Sequence, residues 1–314
     1  MMTVGSLSGI RSVMDCRVTA PSSLDRVLQI VTPGIQRLPI VLASPHSGRD
    51  YPDEFLSATR LDPHTLRKSE DSYVDEIFET GVEHGAPLLK ALFPRAYLDT
   101  NREAFELDPE MFEDLLPAYV NTRSPRVAAG LGTIARVVAH GQEIYRHKLR
   151  FAEALERVER FYRPYHDTLA RLVEETRAKF GYCLLIDCHS MPSFGAVSRG
   201  ASGPAYRRQP FDFVLGDCHG SACSPLVTAA AEGWLTARGY AVSRNTPYAG
   251  GFTTRHYGRP GAGVHALQVE INRGLYMNEA TMTRKPFLNQ LAEQMGELIG
   301  MLGTLDLSTS FRPG

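Results

Sequence analysis

The sequence predicts an α/β fold: three layers, α/β/α, around a mixed and mostly parallel central sheet. Three observations predict it. Short apolar runs bounded by turn residues recur along the chain, stretches of helical periodicity separate them, and the runs are near-continuous, as in strands covered on both faces.

The runs place strands near 39–44, 87–92, 182–188, 211–216, 240–244 and 264–271. Helical spacing is clear over Asp71–His84, where Val74, Ile77 and Phe78 recur at three- and four-residue intervals. It is clearest from Gln142 to Lys179, a stretch rich in Glu, Arg, Ala and Leu, where Pro164 should kink the helix or divide it. Gly181 then supplies a stop. Further helices are predicted at 224–238 and 279–302. Residues 193–210, rich in Gly, Ser, Arg and Pro, and residues 117–133, with Pro117, Pro125, Gly130 and Gly132, read as exposed loops. One catalytic domain is expected over 36–305, after a loose leader (1–35) and before a short tail (306–314).

Bulk composition narrows the function. A hydrophobic share of 43% with 22% charged residues suits a chain of 314 residues with a sizeable core. A net charge of -1 offers no electrostatic case for nucleic acid or an anionic membrane. No apolar run reaches the roughly 18 residues a membrane-spanning helix needs. The leader carries Arg11, Arg17 and Arg26 without the apolar centre of a signal peptide. Five scattered cysteines, Cys16, Cys183, Cys188, Cys218 and Cys223, form no compact framework, so a reducing, cytosolic setting is expected.

The chemistry concentrates at strand ends. Gly181-Tyr-Cys-Leu-Leu-Ile-Asp-Cys-His-Ser190 is an apolar run ending in Asp187, His189 and Ser190. Leu38-Pro-Ile-Val-Leu-Ala-Ser-Pro-His-Ser-Gly48 delivers His46 in the same way. Ligands gather at the carboxyl ends of strands in open α/β sheets, so two matching histidines make a metal site the leading hypothesis. The other histidines, among them His64, His84, His140 and His147, sit in polar or helical surroundings, and His166 reads as buried and hydrogen-bonded. A catalytic zinc commonly takes two histidines and a carboxylate. Asp71, Asp75 and Asp50 are the candidates for that carboxylate, although Asp71 could equally cap a helix. Asp187 reads as an acid outside the ligand set, because the chain is expected to turn there.

Glu270 interrupts the apolar run Val264-His-Ala-Leu-Gln-Val-Glu-Ile-Asn272. A buried carboxylate there suits a general base, the alternative being an ion pair with Arg273 or Arg255. Asn101 and Arg102 follow a strand, and the loop Tyr248-Ala-Gly-Gly-Phe-Thr-Thr-Arg-His256 carries Thr253, Thr254, Arg255 and His256. Both could grip an acidic substrate. A thiol nucleophile at Cys188 is disfavoured because strand neighbours face opposite ways. A serine nucleophile at Ser44, Ser47 or Ser190 lacks the Gly-x-Ser-x-Gly elbow.

Seven short segments in order resemble the N-formylglutamate amidohydrolase family. They are Ser44-Pro-His-Ser-Gly48, Asp71 to Asp75, Asp99-Thr-Asn-Arg102, Tyr162-Arg-Pro-Tyr-His166, Asp187-Cys-His-Ser190, Gly250-Gly-Phe-Thr-Thr-Arg-His-Tyr-Gly258 and Leu267-Gln-Val-Glu270. The resemblance implies a phosphorylase/hydrolase-like fold akin to the zinc carboxypeptidases and aspartoacylases. It further implies zinc-dependent hydrolysis of N-formyl-L-glutamate to formate and L-glutamate, a late step of histidine breakdown. His46 and His189 match the metal histidines, Glu270 the acid that activates water, and Asn101 with Arg102 the pair that holds a substrate carboxylate. The His-x-x-Glu of the carboxypeptidase relatives is missing, and Asp71 is our choice for the third ligand.

The expectation is therefore a zinc amidohydrolase with a small acidic substrate, its ligands His46, Asp71 and His189, its base Glu270, and its substrate contacts Asn101, Arg102, Thr254 and Arg255. Histidine and carboxylate ligands also suit other divalent ions. One competing reading is the same machinery acting on another N-acyl amino acid or a short peptide. Another is a non-catalytic binder of a small acidic ligand.

Overall fold

The computed structural model describes residues 27–138, 141–200, 203–208 and 210–308. The central sheet takes its strands from across this range: β1 (Leu28–Val31), β2 (Ile40–Ser44), β3 (Leu88–Ala91), β4 (Cys183–Met191), β5 (Phe213–Gly216), β6 (Val242–Arg244) and β7 (Val264–Asn272). Their order is β1-β3-β2-β4-β7-β5-β6. The inner block β3-β2-β4-β7 is parallel, β1 joins β3 antiparallel, and β5 joins β7 antiparallel. This is the predicted mixed, mostly parallel sheet.

Two apolar clusters flank it. On one face Val41, Ala43, Leu89, Cys183, Leu185 and Ala266 pack with Ala154, Tyr165, Leu169 and Leu172. The last four come from α2 (Phe151–Arg157) and α3 (Arg163–Phe180). On the other face Leu42, Leu184, Ile186, Leu267 and Val269 pack with Ile77, Phe78, Val227, Ala231, Leu291 and Met295. These come from α1 (Val74–His84), α4 (Pro225–Thr236) and α6 (Phe287–Leu302). Residues buried on both faces explain why the strands read as continuous apolar runs.

Punctuation residues act as expected. Pro164 sits in the first turn of α3, directly after a π-helical turn at Val158–Tyr162 that separates α3 from α2. Gly181 ends α3 in the left-handed region at φ 86°, where its N–H donates to the Arg177 carbonyl.

Five expectations need correction. The leader expected over 1–35 includes Leu28–Val31, which forms an edge strand of the sheet, and residues 1–26 lie outside the described range. Gln142–Arg150 is not helical, since Gln142–Glu143 pairs with Val137–Val138 and α2 begins only at Phe151. The 193–210 loop contains a hairpin, Phe194–Gly200 with Gly203–Arg208. The last helix starts at Phe287 rather than 279, because Met277–Asn278 and Thr283–Arg284 pair as a short ribbon. The tail also contributes, with Leu307 buried in the second cluster. His140 lies outside the described residues.

Candidate active site and metal centre

Period-two alternation along two neighbouring strands builds the floor of the site. On the α3-facing side of β4 the sequence runs Cys183, Leu185, Asp187, His189, and on β7 it runs Val264, Ala266, Gln268, Glu270. Both strands start apolar and become polar on one face, at the same end of the sheet. Their parallel register sets Asp187 beside Gln268 and His189 beside Glu270. The strand does not turn at Asp187 as the sequence suggested. It stays regular to Met191, so Asp187 and His189 share a face.

Three side chains from separate segments meet above this floor. His46 follows β2, His189 lies on β4, and Asp71 precedes α1. The Asp71 segment is docked against His46, the Asp71 N–H donating to the His46 carbonyl at 3.0 Å. Asp71 Oδ2 stands 3.3 Å from His46 Nδ1 and 3.0 Å from His189 Nδ1. All three residues are buried, and their ligand atoms lie within 4.8 Å of one another.

The outer ring nitrogens determine what this cluster can hold. His46 Nε2–H donates to Asp99 Oδ1 at 2.8 Å, and His189 Nε2–H donates to Asp187 Oδ1 at 2.8 Å. With the protons assigned to Nε2, each neutral ring turns the Nδ1 lone pair toward Asp71. Two ring lone pairs and a carboxylate oxygen then lie within 4.8 Å of one another, a group that could hold a cation. A tetrahedral ion with bonds of roughly 2.0–2.1 Å keeps its ligand atoms about 3.3 Å apart, close to the two separations measured here. The residues fit a divalent metal, and the carboxylates behind the histidines supply the orienting hydrogen bonds that metal histidines use. Asp75 points elsewhere, paired with Lys90 and Arg49, and Asp50 is exposed.

The electrostatics follow from burial. Without a metal, Nδ1–H donation takes the place of the lone pairs: burial alone would raise the Asp71 carboxyl, but hydrogen bonds from His189 and His46 and the Arg95 charge then hold it well below the usual carboxylate range. Asp99 is likewise held low against burial by Arg102, His46 and Arg95. Burial would depress His189, yet the Asp187 charge and the bonds to Asp187 and Asp71 raise its pKa well above the ordinary value. Glu270 differs from these acids. Its carboxylate accepts from Gln268 Nε2 at 2.8 Å and has no ion-pair partner among the described residues. Burial pushes its pKa up to about 7. The suggested pairing with Arg273 is absent, since Arg273 bonds to Asp71 and Ser190 instead.

The expected substrate residues divide into two groups. Asn101 is buried against the histidine network, its Nδ2 lying 3.1 Å from His189 Nε2 and donating to Asp187 Oδ2 at 3.4 Å. Thr254, on α5 (Phe252–Tyr257), donates to Asp187 Oδ2 at 3.2 Å. The Arg102 guanidinium donates to the Leu131 and Asn101 carbonyls and lies 3.5 Å from Asp99, and burial lowers its pKa to about 10. Arg255 is exposed, donates to the Gly250 carbonyl, and has no ion-pair partner among the described residues. Gly251 brings the loop onto the site. An added Cβ there would lie 2.2 Å from Asn101 Nδ2, and the Gly251 N–H donates to Gln268 Oε1 at 2.7 Å.

Sequence reasoning missed Asp99, Arg95 and Arg273 as site residues. Arg95 lies 2.8 Å from Asp99 and 3.6 Å from Asp71. Only the strand-exit position of the 93–102 segment hinted at this. The competing nucleophiles are otherwise engaged. Burial holds the Cys188 thiol well above its usual pKa, and Ser47 donates to the Asp71 carbonyl at 2.8 Å.

A family model described as N-formylglutamate amidohydrolase matches residues 38–277. The N-formylglutamate deformylase of Pseudomonas aeruginosa is 30% identical over 246 residues, spanning 77% of this chain and 84% of that protein. The Pseudomonas putida deformylase is 28% identical over 246 residues, spanning 77% and 83%. The crystal structure of N-formylglutamate amidohydrolase from Ralstonia eutropha JMP134 superposes with a TM-score of 0.80 at 35% identity, covering 88% of this chain and 97% of that one. A protein from Agrobacterium tumefaciens shares the fold, with a TM-score of 0.63 at 18% identity over 90% of this chain and 98% of its own. Matched over most of its length, the chain belongs to the N-formylglutamate amidohydrolase family and is a hydrolase acting on an amide bond.

Proposed function

We propose that this chain is a metal-dependent amidohydrolase that cleaves N-formyl-L-glutamate to formate and L-glutamate, with zinc held by His46, Asp71 and His189. The observation that carries the reading is the grouping of two Nδ1 atoms and one carboxylate oxygen beside a buried Glu270 that has no ion-pair partner among the described residues. A divalent ion there supplies Lewis-acid polarisation of the formamide carbonyl and acidifies water. Glu270, poised near neutrality, takes the proton of the attacking water and returns it to the departing amine. The Arg95 guanidinium, beside Asp99 and Asp71 and within electrostatic reach of Glu270, stabilises the oxygen that becomes anionic. Asn101 and Thr254 hold Asp187, which in turn holds the His189 ring. Arg255, with no carboxylate partner among the described residues, meets one substrate carboxylate, while Arg102 adds positive potential for the other.

Two measurements test this. Metal analysis of the purified protein should find a divalent ion, and stripping it should abolish turnover that added Zn²⁺ restores. A protein without metal whose activity does not respond to Zn²⁺ would sink the mechanism. Formate release from N-formyl-L-glutamate should exceed acyl release from N-acetyl amino acids and short peptides. The opposite ranking would move the assignment to another N-acyl substrate.

A further inference from the structure

Both metal histidines are followed by serine, and neither serine has a role in the chemistry above. The structure shows what each touches. Ser47 donates to the Asp71 backbone carbonyl at 2.8 Å. Ser190 Oγ accepts from Arg273 Nε at 3.1 Å, and the same guanidinium donates through Nη2 to Asp71 Oδ1 at 2.9 Å. Its remaining arm donates from Nη1 to the Lys68 carbonyl at 3.2 Å, in the segment that leads to Asp71. Both His-Ser pairs therefore converge on the same third residue.

The two oxygens of Asp71 are divided between neighbours. Oδ2 faces His46 Nδ1 and His189 Nδ1 at 3.3 and 3.0 Å, while Oδ1 faces Arg273 at 2.9 Å and Arg95 at 3.6 Å. A carboxylate that chelated an ion through both oxygens would have to turn Oδ1 away from Arg273. The guanidinium resists that turn, because it is buried and all three of its nitrogens are engaged in a planar fork. Ser190 and His189 lie on opposite faces of β4. The strand thus reaches Asp71 directly through the imidazole and indirectly through Ser190 and Arg273.

We propose that Arg273, seated on Ser190, is a positioning residue that holds Asp71 to single-oxygen coordination of the metal. This rests on the metal site proposed above. One oxygen ligand and two histidines leave a coordination position open for the reacting groups. The arginine also draws charge from Asp71, which leaves more of the cation's charge for the carbonyl.

Metal-free protein titrated with Co²⁺ and Zn²⁺ alone provides the test, in wild type and in Arg273→Met, Arg273→Lys and Ser190→Ala. The visible bands of bound Co²⁺ respond to the number of donors, a readout that general loosening of the fold would not move. Arg273→Met should shift Zn²⁺ affinity by about 10- to 100-fold, the scale on which orienting partners act. Its Co²⁺ bands should weaken as the freed Oδ1 adds a donor. Arg273→Lys, which keeps the charge without the fork, should fall between Arg273→Met and wild type, and Ser190→Ala should move the bands the same way by less. A folded Arg273→Met with wild-type Co²⁺ bands and wild-type Zn²⁺ affinity overturns the inference. If circular dichroism shows Arg273→Met unfolded, Ser190→Ala decides, and wild-type bands there overturn it. Wild-type protein that binds neither ion would instead overturn the metal site itself.

Discussion

Replacing Glu270 by glutamine should move stability and turnover in opposite directions, with a pH signature. The carboxyl is 7% exposed, lacks an ion-pair partner among the described residues, and accepts one hydrogen bond from Gln268. Burial raises its pKa from 4.5 to about 7. At about 1.4 kcal/mol per pH unit, holding it ionised in the folded, metal-free protein costs roughly 3 kcal/mol. The folded pKa lies above the unfolded one. The stability this group contributes is therefore fully present below pH 4.5 and is lost as the pH rises through about 7. Glutamine has nearly the same shape and does not titrate. Metal-free Glu270→Gln and wild type should have equal unfolding free energies near pH 4.5, and the variant should lead by up to roughly 3 kcal/mol above pH 7. Turnover with metal restored should drop about 10²- to 10⁴-fold. Urea unfolding of chelator-treated protein across this pH range, with formate release on reloaded protein, reads both quantities. A variant less stable than wild type at alkaline pH, or one with wild-type turnover, refutes the reasoning.

His166 donates from Nε2 to the Thr100 carbonyl at 2.8 Å, and burial lowers its pKa from 6.5 to about 4. Its stabilising contribution is present above pH 6.5 and is lost as the pH falls toward 4. His166→Gln should flatten the acid limb of the stability curve by up to roughly 3 kcal/mol, and parallel wild-type and variant curves would count against this. Asp187→Asn and Asp99→Asn each alter the acceptor that orients a metal histidine, so each should weaken Zn²⁺ binding about 10- to 100-fold in a chelator competition. Unchanged affinity would remove these acids from that role. Gly251→Ala drives a methyl group to 2.2 Å from the Asn101 amide, and it should lower both activity and thermal stability, the latter by about 1–3 kcal/mol. A wild-type melting curve would mean that the loop has slack.

The sheet was legible because strands buried on both faces leave dense apolar runs, and every predicted strand lies within a residue or two of an observed one, except that β4 extends three residues further, to Met191. The edge strand β1 escaped because Leu28–Val31 is four residues long and only partly buried. Gln142–Arg150 has helix-forming residues, yet Ile144, Tyr145 and Leu149 are buried in a segment that pairs with distant backbone, Tyr145 with Thr59 and Leu149 with Phe112. Local propensity cannot register such pairing. The site shows the same division. His46, His189 and Glu270 stood out because polar residues at the end of an apolar run need a reason. Asp99, Arg95 and Arg273 matter through contacts with Asp71 and His46, far away in sequence, which their local segments do not reveal. Thr254 and Asn101 were singled out as substrate contacts, whereas here they brace Asp187.

The side-by-side register of β4 and β7 has a consequence for how the gene can drift. Glu270 shares a face with His189 only because the strands pair Val264 with Cys183 and hold step for all nine residues. Deleting one residue between Val264 and Glu270 would rotate the carboxyl into the apolar cluster that contains Val269 and Ile271, even if every functional residue were kept. The spacing from Val264 to Glu270 thus matters to the site as much as the residues themselves. Additions and losses of length should spare these two strands.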